Sequence, residues 1–260
     1  MPNQTRPLSI LIVDDEPPAR ARLRELLADI APALPLEVTG EAENGLAALG
    51  WLAEHPVDVV ITDIRMPRMD GIELAEHLGG LPQPPAVIFA TAFDNYAVQA
   101  FDLNAIDYLL KPVRAQRLQT ALQKIGQSGR PAGEALAAIG REVRGGSRTH
   151  LSCQERGRLL VVPVGEVLYF KADLKYVTAR TKDREYLLDE ALTHLEEEFS
   201  DRFIRLHRAV LVARTAIAGF ERAGDDDAEA YGWALLRGVP EKLPVSRRQW
   251  SLAKAFARGG

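Results

Sequence analysis

Five positions far apart in the sequence carry groups that could act together on one anion. They are the adjacent carboxylates Asp14 and Asp15, the isolated carboxylate Asp63, the hydroxyl of Thr91 and the amine of Lys111. Each comes after a short apolar run: Ile10–Val13, Val57–Thr62, Ala86–Ala90 and Ala105–Leu110. Runs of this length suit strands buried on both faces, as in parallel sheets. In open α/β sheets ligands gather at the carboxyl ends of such strands. A single aspartate at a strand end would be a cap or turn residue; the combination argues for a site. Clustered carboxylates are costly unless a cation neutralises them, and an oxygen-rich site suits Mg2+, which needs few protein ligands and keeps waters.

The elements that must position these groups can be read from the pattern between them. Pro17-Pro18 opens a helix through about Ile30, with Leu23, Leu26, Leu27 and Ile30 at helical spacing and Arg20, Arg22 and Arg24 on its solvated face. Val38–Ala42 reads as a strand and Gly45–His55 as a helix. Further helices are expected at Gly71–Leu78, Asn95–Leu103 and Arg114–Ile125. Strands alternating with helices five times over predict a doubly wound α/β domain with a five-stranded parallel sheet at 1–127. Residues 128–147 read as a linker, with Ser128-Gly129-Arg130-Pro131 near its start, a marginal helical stretch at Glu134–Val143, and Gly145-Gly146-Ser147 at its end.

From 148 to 260 the pattern changes to many short strands. Candidates are Leu151–Cys153, Leu159–Val162, Val167–Phe170, Tyr176–Arg180, Tyr186–Leu188, Phe203–Leu206, Val210–Val212, Ile217–Phe220 and Tyr231–Leu236. Only two helices suggest themselves, near Ala191–Phe199 and Arg247–Ala257, so this domain is mainly β. Nothing repeats at a fixed period, which argues against a propeller or solenoid.

Composition narrows the function classes. No stretch approaches the apolar length of a membrane span, and Met1–Pro7 lacks a signal-peptide apolar core. The single cysteine, Cys153, cannot form an intrachain disulfide and fits a reducing cytoplasm and a core position. The net charge of -4 is uneven. Through Arg130 there are 11 basic against 17 acidic residues, and 21 against 19 thereafter. The second half is therefore compatible with nucleic acid without requiring it.

The order Asp14-Asp15, Asp63, Thr91, Lys111-Pro112 resembles the receiver domain of bacterial two-component response regulators. The resemblance implies that Asp63 is the phospho-acceptor. It places Mg2+ on Asp14, Asp15, Asp63 and the main-chain carbonyl of Arg65, with Asp14 acting through a coordinated water. Thr91 and Lys111 would contact the phosphoryl group, Tyr108 would be the aromatic that turns inward, and Lys111-Pro112 would be a cis peptide. Val167–Asp173 with Lys175-Tyr176-Val177, Phe203–Val212, and Leu243–Arg248 resemble the DNA-binding domain of the LytTR (LytR/AlgR) family. That family inserts loops into successive major grooves, which implies DNA contacts from Lys175, Arg208 and Arg247, with Arg248 and Lys171 on phosphates. Arginine reads guanine as a fork, and lysine acts as a point charge. Taken singly, Lys171 and Arg248 read more simply as solvated cations. His207 reads as a hydrogen-bonded structural residue, since no second ligand completes a metal site. The acidic run Asp225–Glu229 is expected to face away from DNA.

The resemblance implies a sensor histidine kinase as donor, double-stranded promoter DNA as target, a homodimer through the phosphorylated receiver, and no enzymatic turnover. Other readings stay open. They are a Mg2+ phosphohydrolase, opposed by the absence of an Asp-x-Asp pair at Asp63, a β domain that binds protein or RNA, and DNA binding independent of phosphorylation.

Overall fold

The computed structural model describes residues 6–92, 107–125, 147–156, 158–173, 175–223 and 231–259. The chain divides into two units, Met1–Gly146 and Ser147–Gly260. The expected helix Asn95–Leu103, the start of the strand at Ala105-Ile106, most of the linker and the acidic run Asp225–Glu229 lie outside the described residues.

The first unit holds β1 (Leu8–Val13), α1 (Pro17–Ile30), β2 (Leu36–Ala42), α2 (Gly45–Leu52), β3 (Val59–Thr62), α3 (Gly71–Gly79), β4 (Ala86–Thr91), β5 (Asp107–Leu110) and α4 (Ala115–Gln123). The strands form one parallel sheet in the order β2-β1-β3-β4-β5. Ile10, Ile12, Val59, Ile61, Ile88 and Ala90 present one face to Leu23, Leu26, Leu27 and Ile30 of α1 and to Leu118, Ala121 and Leu122 of α4. The alternate strand residues Leu11, Val60 and Phe89 are fully buried as well. That is why these strands read as continuous apolar runs rather than alternating ones. Each such side chain stabilises the fold by about 1.5–3 kcal/mol relative to exposure. The strand order reverses between β1 and β3, and in open α/β sheets the carboxyl ends of the strands at such a point are where ligands bind.

The second unit is mainly β, as expected. A hairpin of β6 (His150–Glu155) and β7 (Arg158–Pro163) precedes a five-stranded antiparallel sheet. That sheet runs β10-β9-β8-β12-β11, from β8 (Tyr169–Asp173), β9 (Tyr176–Arg180), β10 (Glu185–Leu188), β11 (Phe203–His207) and β12 (Val210–Ala213). Between β10 and β11 lies the short helix α5 (Leu192–Glu198). A three-stranded sheet, β13 (Ile217–Arg222), β14 (Gly232–Leu236) and β15 (Lys242–Val245), leads into α6 (Trp250–Gly259). The Phe170 and Phe203 rings pack with centroids 4.8 Å apart inside the core that also buries Cys153. Two local expectations change. The run from Val167 begins its strand only at Tyr169, after a 3-10 turn at Val164–Glu166. β15 adds a strand to those expected; it contains Pro244 and lies at the sheet edge, where a missing N–H costs no ladder bond.

Candidate functional site

The sheet register delivers the acidic cluster. Val13 of β1 pairs with Thr62 of β3, so Asp14 and Asp63 are the next residues of neighbouring strands. The ladder runs one step further, with Asp63 N donating to Val13 O at 2.9 Å. Thr91 pairs with Leu110, and Lys111 N donates to Thr91 O at 2.8 Å, which sets Lys111 on the same edge. Lys111-Pro112 is a cis peptide. Asp70 caps α3 by accepting from Glu73 N at 2.7 Å. Gly71 opens that helix so close to Asp63 that a Cβ there would lie 1.9 Å from the Asp63 carbonyl oxygen. Only a glycine lets α3 approach the loop that carries the acid.

Among the described residues, Asp14, Asp15 and Asp63 each offer a carboxylate oxygen, all within 4.8 Å of one another. Asp14 is fully buried, Asp63 nearly so, and Asp15 is exposed. Lys111 Nζ lies 2.6 Å from Asp63 Oδ2 and 2.7 Å from Asp14 Oδ2. One ammonium thus serves both carboxylates, and its contact with Asp63 is the better aligned as a hydrogen bond. Burial lowers the proton affinity of the Lys111 ammonium, but its contacts with Asp14 and Asp63 outweigh that and hold its pKa above the usual lysine value. The remaining carboxylate oxygens are fixed by the backbone: Asp63 Oδ1 accepts from Ile64 N at 2.6 Å and Asp14 Oδ1 from Glu16 N at 3.0 Å. Three carboxylates gathered at one edge with a single ammonium between two of them leave negative charge that a small hard cation would balance, so the residues fit Mg2+. Thr91 is fully buried and its Oγ1 has no hydrogen-bond partner among the described residues, leaving a hydroxyl at the edge that carries Asp63 and Lys111. Tyr108 lies half-buried on β5, and Arg65 is exposed in the loop between Asp63 and α3.

The structure brings together Asp14, Asp15, Asp63 and Lys111. Arg20 was assigned to a solvated face, yet its NH1 donates to the Asp14 carbonyl at 2.6 Å, and its side chain is only 18% exposed. Its partner Glu41 lies on β2, a pairing that helical periodicity cannot register. Arg22 and Arg24 do face solvent.

In the second unit, antiparallel pairing of β8 with β12 sets Lys171 against Val210. The β8–β9 turn holding Lys175 and the β11–β12 turn holding Arg208 therefore lie at the same end of the sheet. Ser246 N donates to Leu206 O at 2.9 Å, which brings Arg247 to that end too. Lys171, Arg208, Arg247 and Arg248 are all exposed. His207 accepts from Ala209 N at 3.3 Å through Nδ1, the structural part expected of it. Burial pushes the Cys153 thiol up, away from reactivity.

Comparison with known proteins places both units. A response regulator receiver domain matches residues 10–123, and a LytTr DNA-binding domain matches residues 157–257. The positive alginate biosynthesis regulatory protein of Pseudomonas aeruginosa is 42% identical over 93% of this chain and 95% of its own. A response regulatory protein of Vibrio cholerae is 38% identical over 98% of this chain and 99% of its own. The sensory transduction protein LytR of Staphylococcus haemolyticus is 32% identical over 96% and 97% respectively. No described helix is long and apolar enough to cross a membrane.

Proposed function

The chain belongs to the LytTR family of two-component response regulators, which regulate transcription through a receiver domain and a DNA-binding domain, and from that premise we propose that Asp63 is its phospho-acceptor. The observation that carries this reading is Lys111 bridging the buried pair Asp14 and Asp63, on the strand edge that also carries the buried Thr91. The Asp63 carboxylate attacks the phosphorus of a phosphohistidine on a sensor kinase, and the P–N bond breaks as the acyl phosphate forms. Lys111 then turns its ammonium from the free carboxylate to the phosphoryl oxygens, and Thr91 donates its hydroxyl to one of them. Mg2+ held by Asp14, Asp15, Asp63 and the Arg65 carbonyl would supply the further positive charge that phosphoryl transfer requires. Tyr108 moves inward after Thr91, and the face that includes β5 and α4 repacks and pairs with a second receiver.

Residues 1–127 act as the receiver, 128–147 as a linker, and 148–260 as the DNA-binding domain. Lys175, Arg208 and Arg247 reach base edges, with Arg248 and Lys171 on phosphates. Two such domains on a repeated promoter site gain affinity without new base contacts. The protein works in the cytoplasm as a switch rather than a turnover enzyme. The test is selection from random duplex DNA by the wild type and by Asp63→Asn, each with and without a small-molecule phosphodonor and Mg2+. The expected result is a repeated motif whose enrichment rises with phosphodonor only in the wild type. Phosphoryl uptake by Asp63→Asn at wild-type stoichiometry would remove Asp63 from the role. The same motif without phosphodonor dependence would leave DNA binding constitutive.

A further inference from the structure

The turn that carries Arg208 is held from within the fold. β11 and β12 pair with a register shift between Arg205 and His207, so the chain bulges at Leu206. A bulge takes a residue out of the ladder and re-aims the residues beyond it. The Leu206 carbonyl takes the N–H of Ser246, the residue before Arg247. The Arg205 guanidinium turns back along the turn: Nε donates to His207 O at 2.8 Å and a second nitrogen donates to Arg208 O. Its third nitrogen lies 2.5 Å from Glu196 on α5. Arg205 is itself only 18% exposed, whereas Glu196 is 43% exposed.

We infer that Arg205, oriented by Glu196, is the positioning residue of the DNA-reading turn, holding Arg208 in fixed register with Arg247 across the bulge. The inference rests on the reading of Arg208 as a base contact. The physical reason is the planar fork. One guanidinium spans two successive carbonyls and an acid, which the single ammonium of lysine cannot reproduce. A base-reading arginine must meet two acceptors on guanine at once, so a loose turn costs discrimination before it costs attraction to phosphates. Arg205 thus acts on sequence choice through Arg208, although most of its hydrogen-bonding capacity is spent inside the protein.

The experiment measures binding of the full-length protein to its selected duplex and to a random duplex at two salt concentrations. The proteins compared are wild type, Arg205→Lys, Glu196→Gln and Arg208→Ala. Arg205→Lys is expected to lower the specific-to-random ratio roughly tenfold while leaving random binding and the salt slope unchanged. Glu196→Gln gives the sharper sign. Removing an acid near a polyanion tightens binding if charge alone counts. Positioning instead predicts weaker binding to the selected duplex, and the exposed site of Glu196 keeps the fold out of question. Equal loss on both duplexes with a shallower salt slope for Arg205→Lys would make Arg205 a phosphate contact and overturn the inference. Tighter binding of Glu196→Gln to both duplexes would also overturn it. If Arg208→Ala loses the ratio while Arg205→Lys and Glu196→Gln keep it, the positioning role alone falls. If Arg208→Ala keeps the wild-type ratio, the base-contact reading falls and takes the inference with it.

Discussion

Lys111→Met isolates what the amine does for the acid cluster before any phosphoryl group arrives. Methionine keeps much of the apolar stem and removes the charge. Lys111 Nζ stands 2.6 and 2.7 Å from one oxygen each of Asp63 and Asp14, two carboxylates with ligand oxygens within 4.8 Å of each other. At an effective dielectric constant of about 20, charges at that outer separation repel by about 3.5 kcal/mol. Removing one partner from a buried charged group costs about 3–5 kcal/mol. Because Lys111 keeps 19% of its side chain exposed, the low end of that range applies. A receiver of this size loses about 4 °C of unfolding temperature per kcal/mol, so the metal-free variant should melt about 12 °C below wild type. A cation bound to the folded site at about 100 times its dissociation constant returns about 2.7 kcal/mol, so Mg2+ should close most of the gap. Wild type, whose amine already neutralises the pair, should gain less from the same Mg2+. The assay is thermal unfolding of the receiver transition in chelator and in Mg2+ at neutral pH. A variant within about 2 °C of wild type in chelator, with an equal Mg2+ shift in both proteins, would refute the charge-balance argument.

Gly71→Ala should destabilise the receiver by at least the roughly 1–3 kcal/mol typical of overpacking, since the new Cβ meets backbone at Asp63 rather than a movable side chain. It should also slow phosphoryl uptake, and wild-type unfolding and uptake rates together would show that the approach is not tight. Asp107 is drawn up by burial, but hydrogen bonds from Arg117, Lys124 and the Tyr108 N–H outweigh this and hold its pKa below the ordinary 3.8. Its contribution to stability is therefore full above that value and lost as pH falls through the lower folded value. Denaturant unfolding should show the gap between wild type and Asp107→Asn shrinking between about pH 5 and pH 2, whereas a gap constant with pH would contradict the assignment.

Architecture and the identity of the acidic site were legible in the sequence alone. Apolar runs that end in Asp14, Asp63, Thr91 and Lys111 are buried strands with chemistry at their carboxyl ends, because alternation of side chains leaves both faces to be covered. Helix periodicity likewise marked the buried stripe of α1 at Leu23, Leu26, Leu27 and Ile30. Contacts set by how one element or turn folds against the next were not legible. Arg20 on the Asp14 carbonyl, Gly71 against Asp63, Pro244 on an edge strand and Arg205 across a bulge each depend on which element lies next to which. Local propensity records what a residue prefers along its own strand or helix. Only the packing of α1 on the sheet decides whether Arg20 meets solvent or the Asp14 carbonyl, and only the placement of β15 decides whether the carbonyl freed at Leu206 meets water or Ser246. Tertiary packing made those choices because a buried polar group without a partner costs more than the bond that satisfies it.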